Sequence, residues 1–152
     1  MISADFTDTL EATARAMNAV GHRWVVFGGA AMALHGFETT QVRDIDILVS
    51  GEAAADLLAR WSLRNHADEA SARFRSDYLL RPDFGRVPVE IVGNFRVRLG
   101  LGWRKVEIRS PIEVAAGAER LFIPARDELA AIFDLCGRAK DIERSRRLRS
   151  LG

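Results

Sequence analysis

Residues 26–49 read VFGGAAMALHGFETTQVRDIDILV and contain two short apolar runs, each beside residues suited to binding charged ligands. The first run predicts a buried strand that ends at Gly28 and Gly29, where a tight turn leads into a short helix. The second run predicts another strand, with Asp44 and Asp46 at its start. Because side chains alternate along a strand, both aspartates share one face, and the neighbouring apolar residues take the other face.

The rest of the sequence predicts both helices and strands around this stretch. The apolar residues between Phe6 and Val20 recur at helical spacing, and Gly21 is placed to end that helix. We expect an α+β fold in which a small mixed β-sheet is flanked by helices. The other predicted elements are a helix through EAAADLLARW, strands at 72–80 and in VPVEIV, a hairpin within 96–110 with Gly100 and Gly102 in its turn, and two C-terminal helices from about 126 to 150.

The composition is that of an ordinary soluble globular protein. A length of 152 residues with 48% hydrophobic and 28% charged residues predicts a single domain covering residues 1–152. The formal charge of +1 does not indicate a surface specialised for nucleic acid or membrane. The single cysteine, Cys136, excludes an intramolecular disulfide and a multi-cysteine zinc site. With no signal-peptide pattern and no apolar run near the roughly 20 residues of a membrane span, we expect a cytoplasmic protein without membrane association.

A third carboxylate, Glu90, is predicted to join the two aspartates. Glu90 lies between Val89 and Ile91, so it points away from the apolar face of its own strand. If the two strands are neighbours, Asp44, Asp46 and Glu90 converge, and their mutual repulsion requires a neutralising partner. Two magnesium ions about 3.5–4 Å apart, bound by carboxylates, can activate a hydroxyl and stabilise a leaving pyrophosphate. The alternative is that Asp-x-Asp simply faces water at a strand end.

The glycine turn and a basic helix junction are candidate phosphate-binding features. Backbone amides at Gly28 and Gly29 can contact phosphate oxygens, and the absence of Cβ atoms lets a ligand approach. The sequence has neither a P-loop nor a complete Gly-x-Gly-x-x-Gly pattern. Arg138 and Lys140, between the two C-terminal helices, are placed to reach a triphosphate. Alternatively, they form a solvated helix junction with Asp141.

Two other features have a structural interpretation that is favoured over a functional one. The basic run RSRRLRS, residues 144–150, can attract RNA or another phosphate-rich acceptor, but basic residues at a helix C-terminus also complement the helix dipole. His35 is expected to cap carbonyl groups or satisfy the core rather than to act in catalysis.

The arrangement of these motifs resembles the DNA polymerase beta superfamily of nucleotidyltransferases. In that superfamily Gly-Gly opens a helix, Asp-x-Asp follows on a strand, and one more carboxylate lies on a later strand. The segments GGAAMALHG and RDIDILV are most similar to the small bacterial branch, which includes minimal nucleotidyltransferases, AbiEii-like toxins and lincosamide or aminoglycoside nucleotidyltransferases. The specific part of the resemblance covers residues 24–92, and a looser part covers residues 123–148.

The resemblance implies a nucleotidyltransferase fold and the transfer of a nucleoside monophosphate from an NTP to a hydroxyl. At the matching positions, Gly28 and Gly29 would hold the triphosphate, and Asp44 and Asp46 would bind magnesium. Glu90 would be the third metal-binding carboxylate and would help to deprotonate the acceptor. The acceptor implied is RNA (such as tRNA), a protein or a small molecule.

Three departures from the pattern of these relatives leave an alternative open. Residues 40–44 read TQVRD, where many relatives carry Arg-x-Thr-x-Asp. Glu90 stands where aspartate is usual, and Ile132, Phe133 and Asp134 occupy a region in which relatives often carry a lysine. The alternative is an inactive relative that binds a partner protein, such as an antitoxin-like module that recognises a HEPN-domain toxin. A sheet domain that only binds a metal is a further alternative.

Overall fold

The computed structural model describes residues 2–37, 42–68 and 71–150, and it contains helices and strands throughout. The helices are α1 (Ala4–Val20), α2 (Gly28–Leu34), α3 (Gly51–Arg60), α4 (Arg126–Cys136) and α5 (Ala139–Ser150). The strands are β1 (Val25–Phe27), β2 (Ile45–Val49), β3 (Phe74–Arg75), β4 (Tyr78–Leu80), β5 (Val89–Gly93), β6 (Arg96–Leu99), β7 (Gly102–Lys105), β8 (Pro111–Ala116) and β9 (Glu119–Pro124). Among the described residues, no helix combines the length and apolar character that crossing a bilayer would require.

The central sheet is mixed, which confirms the predicted α+β class. Its strand order is β1-β2-β5-β4, with β2 antiparallel to β1 and parallel to β5, and with β4 antiparallel to β5. The register places Asp46 between Phe27 on one side and Glu90 on the other. A three-stranded sheet, β3-β6-β7, and the β8-β9 hairpin complete the β structure of the described residues.

One face of the central sheet forms the main hydrophobic core. Ile45 and Ile47 of β2 are buried together with Ile91 of β5, and they belong to one cluster with Leu10 of α1 and Leu57 of α3. Burying a side chain of this size contributes roughly 1.5–3 kcal/mol. The period-two pattern of DIDILV therefore holds β2 with one particular face against the core, and this orientation directs both aspartates to the opposite face.

That opposite face is itself partly covered. Leu48 of β2 packs in a second, smaller hydrophobic cluster with Phe27 of β1, Phe95, and Ile132 and Cys136 of α4. By alternation, Leu48 points to the same side of the sheet as Asp46. The face that carries the carboxylates is therefore apolar at one end, and α4 limits the access of water to it.

The first helix and the glycine turns follow the sequence prediction closely. Helix α1 begins where the Ser3 hydroxyl accepts a hydrogen bond from the Phe6 amide at 3.1 Å, and it ends at Gly21, which has a φ of 90°. The predicted hairpin is also confirmed as β6-β7, with Gly100 at a φ of 61° in its turn and Gly102 at the start of β7.

The prediction of one strand over 72–80 is wrong. The segment forms β3, which pairs with β6, and β4, which pairs with β5, so it passes from one sheet to another. Asp77 lies at the crossing, where its carboxylate accepts hydrogen bonds from Asn94 at 2.6 Å and Arg96 at 2.7 Å. The alternation of apolar and polar residues continues across this crossing, so the pattern alone does not reveal it.

The β8-β9 hairpin was not predicted from the sequence. Leu121 and Ile123 of β9 are buried, but Phe122 between them is 39% exposed. Three consecutive large apolar residues hide the period-two pattern that would otherwise indicate a strand.

Candidate active site

The three predicted acidic residues lie together at one end of the β2-β5 pair. Asp44 directly precedes β2, Asp46 lies within it, and Glu90 is the residue that pairs with Asp46 across the two parallel strands. One carboxylate oxygen from each of the three residues lies within 4.8 Å of the other two. This separation is suited to a shared divalent cation, since carboxylate oxygens are the protein ligands that magnesium prefers.

The carboxylates are electrostatically strained as a group. Burial, and then the charges of Asp44 and Glu90, raise the pKa of Asp46 from 3.8 to about 7, although Arg138 and Arg144 oppose this shift. Burial and the charge of Glu90 also raise the pKa of Asp44. A bound cation would relieve both causes, because it supplies positive charge and replaces lost water. The residues present therefore fit a divalent metal ion.

Glu90 has a partner that the sequence did not indicate. The Arg81 Nε donates a hydrogen bond to Glu90 Oε2 at 3.0 Å. Because a carboxylate has several lone pairs on two oxygens, this contact leaves Glu90 able to accept a further ligand or a proton. Arg81 therefore holds Glu90 in a defined orientation beside the aspartates.

The two glycines lie between the carboxylates and a cationic side chain. Gly28 has a φ of 66°, and a Cβ atom there would lie 3.0 Å from Asp46 Oδ2. Both the backbone conformation and the close approach therefore favour glycine at this position. A Cβ atom on Gly29 would lie 3.2 Å from Arg144 Nη2, so the guanidinium of Arg144 rests against the turn.

Arg144 is the residue at this site that the sequence interpretation missed. It belongs to the basic run for which the sequence favours a role in complementing the helix dipole, yet its guanidinium lies 5.5 Å from the centre of the Phe133 ring and faces Gly29. Arg146 and Arg149 of the same run differ from it, because Arg146 pairs with Glu143 and Arg149 pairs with Asp134, whereas Arg147 lines the same cavity. Residues three or four apart lie on the same side of a helix, so the helical period of α5 could have distinguished Arg144 from Arg146 in the sequence.

Arg138 and Lys140 lie at the same site as Arg144. Arg138 donates from Nε and Nη2 to the carboxylate of Asp141, at 2.6 Å and 3.0 Å, and its guanidinium lies 4.9 Å from the centre of the Phe74 ring. The alternative of a junction with Asp141 therefore holds for the pairing with Arg138, but Asp141 itself is buried rather than solvated. Lys140 is exposed, and its charge acts to lower the pKa of Asp44.

These groups surround a cavity of about 960 Å³. A cavity of this size is within the range that holds a small-molecule ligand such as a nucleotide. The charged residues that line the cavity are Arg43, Asp44, Asp46, Arg75, Glu90, Arg138, Lys140, Asp141, Glu143, Arg144 and Arg147.

The surroundings of His35 and Cys136 indicate structural rather than catalytic roles. The His35 ring is within hydrogen-bond distance of the Pro124 carbonyl, at 2.7 Å between Nε2 and oxygen, which agrees with the favoured structural interpretation. Cys136 is buried, and burial raises the pKa of its thiol to about 11, so the reactive thiolate is suppressed.

Comparison with known proteins identifies the fold. The sequence matches no family model, and it matches no curated protein sequence. The structure is similar to that of the Thermotoga maritima protein TM1012, which has been assigned as a nucleotidyltransferase (TM-score 0.68, 23% identity, covering 99% of this chain and 94% of that chain).

An antibiotic-resistance factor and a lincosamide adenylyltransferase have the same fold. The antibiotic-resistance factor ANT(2″)-Ia matches with a TM-score of 0.57 and 20% identity over 96% of this chain and 84% of its own. The lincosamide antibiotic adenylyltransferase LnuA, in its lincomycin-bound form, matches with a TM-score of 0.58 and 14% identity over 95% of this chain and 96% of its own. The chain therefore has the nucleotidyltransferase fold, as the sequence resemblance implied.

Proposed function

We propose that this protein is a magnesium-dependent nucleotidyltransferase that transfers a nucleoside monophosphate from an NTP to a hydroxyl acceptor. The observation that carries the proposal is the convergence of Asp44, Asp46 and Glu90 within 4.8 Å, beside the glycine turn and in a cavity lined by cations. Structural neighbours that include a lincosamide adenylyltransferase support the same reaction class.

The carboxylates divide the metal-binding and proton-transfer roles. Asp44, Asp46 and Glu90 would together hold two magnesium ions. Bound magnesium would lower the pKa of the acceptor hydroxyl and stabilise the leaving pyrophosphate. Glu90, oriented by Arg81, accepts the proton of the hydroxyl as it attacks. Glutamate is longer than the usual aspartate by one methylene group, which gives its side chain more conformational freedom. The contact with Arg81 restricts that freedom.

The glycine turn and the C-terminal helices bind the triphosphate. The amides of Gly28 and Gly29 approach the phosphate oxygens, and Arg144 supplies positive charge at the same turn. Arg138 and Lys140 contribute further positive charge to the same cavity. Arg144 comes from α5 and lies over Phe133, in the region of α4 where relatives often carry a lysine, so it compensates for that missing charge.

The inactive, partner-binding alternative has less support. An inactive relative has no need to keep three carboxylates, a glycine with a positive φ and several cations around one cavity, and this chain has all of them. An antitoxin-like role stays a prediction, and none of the three similar structures is described as a toxin or an antitoxin.

The proposal is tested by titrating each NTP calorimetrically into the protein with magnesium and then with EDTA. We expect binding that requires magnesium, is lost in Asp46→Asn and is kept in Asp8→Asn, since Asp8 is exposed on α1. Pyrophosphate release is then measured with candidate RNA, protein and aminoglycoside or lincosamide acceptors. Binding of NTP that is equally strong in EDTA and in Asp46→Asn contradicts the proposal.

A further inference from the structure

One face of the β3-β6-β7 sheet combines positive charge with a tryptophan. The register places Arg75 beside Arg96, and Arg96 beside Lys105, in one row across the three strands. In the next row of the same face, Arg98 pairs with Trp103. We call these five residues the Arg–Trp face. On the opposite side of the sheet Val97 is buried in the second hydrophobic cluster and Phe74 packs against it, so only the Arg–Trp face is free of the core.

Two arginines of this face carry uncompensated charge. Arg96 is paired with Asp77 at 2.7 Å, and Lys105 lies 3.7 Å from Glu107. Arg75 and Arg98 have no acidic partner within the part of the chain that the structure describes. The face therefore has an excess of positive charge, which is complementary to a polyanion.

Trp103 orders these two arginines. The guanidinium of Arg75 lies 4.3 Å from the centre of the Trp103 ring, and that of Arg98 lies 5.7 Å from it. A guanidinium that stacks on an aromatic ring keeps its N–H donors directed outward in its plane, where they can bind phosphate oxygens. The same ring offers an apolar surface on which a nucleobase can stack.

The Arg–Trp face is continuous with the candidate active site. Arg75 belongs to this face, and it also lines the cavity that contains Asp44, Asp46 and Glu90. A strand of nucleic acid bound along Arg98 and Trp103 can therefore direct its end past Arg75 to the carboxylates.

We infer that the acceptor of this nucleotidyltransferase is a single-stranded nucleic acid that docks on the Arg–Trp face. The inference rests on the proposed function and names its acceptor class. In the reaction, the terminal hydroxyl oxygen forms a bond to the α-phosphorus of the NTP, and the bond from that phosphorus to the bridging α–β oxygen breaks. Pyrophosphate leaves with that electron pair, and the hydroxyl proton passes to Glu90. An acidic protein segment would use the charges but not the ring, which makes nucleic acid the better match.

Docking is measured by the fluorescence anisotropy of a labelled single-stranded oligonucleotide of about 12 nucleotides, with neither NTP nor magnesium present. We expect Arg75→Gln/Arg98→Gln to weaken binding by about tenfold and to reduce the slope of log K against log[salt] by about 1.4, because two phosphate contacts are lost. Trp103→Leu is expected to weaken binding by about tenfold with a smaller change in the slope than the double variant gives, because it removes stacking and leaves both guanidinium charges in place.

Arg104→Gln is the matched control. Arg104 is exposed on the same strand as Trp103 but points to the other side of the sheet, so this variant should bind like the wild type. All variants are compared by melting temperature to confirm that they fold. Equal binding by the wild type and the Arg75→Gln/Arg98→Gln variant overturns the inference. Unlabelled poly-glutamate that competes as well as the unlabelled oligonucleotide also overturns it, in favour of a protein acceptor.

Comparing the anisotropy assay with the calorimetric NTP titration separates this inference from the proposed function. Asp46→Asn should lose magnesium-dependent NTP binding and keep the oligonucleotide. If the wild type binds NTP with magnesium but not the oligonucleotide, the acceptor class is wrong and the proposed chemistry stands. If the oligonucleotide binds but NTP does not bind in any condition, the proposed function is wrong, and the inference about its acceptor is wrong with it.

Discussion

Asp46→Asn should stabilise the protein near neutral pH when no metal ion is present. Asparagine has almost the same shape as aspartic acid but never becomes negative. In the folded wild type, burial and the charges of Asp44 and Glu90 raise the pKa of Asp46 from 3.8 to about 7. Ionisation of Asp46 is therefore easier in the unfolded chain than in the folded one. The stability that its protonated form contributes is present below pH 4 and is lost as the pH rises to 7.

The size of this effect follows from the shift in pKa. Each unit of difference between the folded and unfolded pKa corresponds to about 1.4 kcal/mol, so wild-type stability should fall by roughly 2 kcal/mol between pH 5 and pH 7 through this group. Asp46→Asn removes this loss. Magnesium should restore stability to the wild type, by about 2.7 kcal/mol at one hundred times its dissociation constant, and it should give the variant much less.

The assay is urea denaturation of both proteins at several pH values from 5 to 8, with EDTA and then with magnesium. The informative quantity is the difference in the free energy of unfolding between variant and wild type. Ionisable groups that behave alike in both proteins contribute equally to each free energy, so their contributions cancel. Asp8→Asn controls for the loss of a carboxylate that faces solvent on α1. A difference that stays constant between pH 5 and pH 8 would refute the electrostatic account of the site, as would equal stabilisation of both proteins by magnesium.

The remaining predictions concern the triphosphate and the acceptor hydroxyl. Gly29→Ala should weaken NTP binding with little change in melting temperature, because the new Cβ would lie 3.2 Å from Arg144 Nη2 and displace that flexible side chain; a large drop in melting temperature would show instead that the glycine is structural. Arg144→Gln should weaken NTP binding by about tenfold in calorimetry, as expected for a charge-assisted contact with phosphate, whereas Arg146→Gln should not. Glu90→Gln should lower pyrophosphate release by about 10²–10⁴-fold while NTP affinity is largely kept, and Glu90→Asp should retain activity. If Glu90→Gln turns over normally, the proton acceptor is another group.

Local features of the structure could be predicted from the sequence. Helix α1 with its end at Gly21, the turn from β1 into α2, and the shared face of Asp44 and Asp46 all depend on residues close together in the chain. Their signals are the 3.6-residue and two-residue periods and the conformational freedom of glycine, which act over a few residues. The fold class could be predicted from the same signals and from the resemblance of these motifs to those of nucleotidyltransferases.

Long-range contacts complete the candidate site, and only the tertiary structure supplies them. The parallel pairing of β2 with β5 brings Glu90 beside Asp46, and packing of α5 brings Arg144 onto Gly29. The contact of Arg81 with Glu90 is of the same kind. Alternation can orient a side chain to one face of a strand, but it does not specify the neighbouring strand or the helix that covers that face. Those choices depend on the free energy of packing the whole chain, which no short stretch of residues determines by itself.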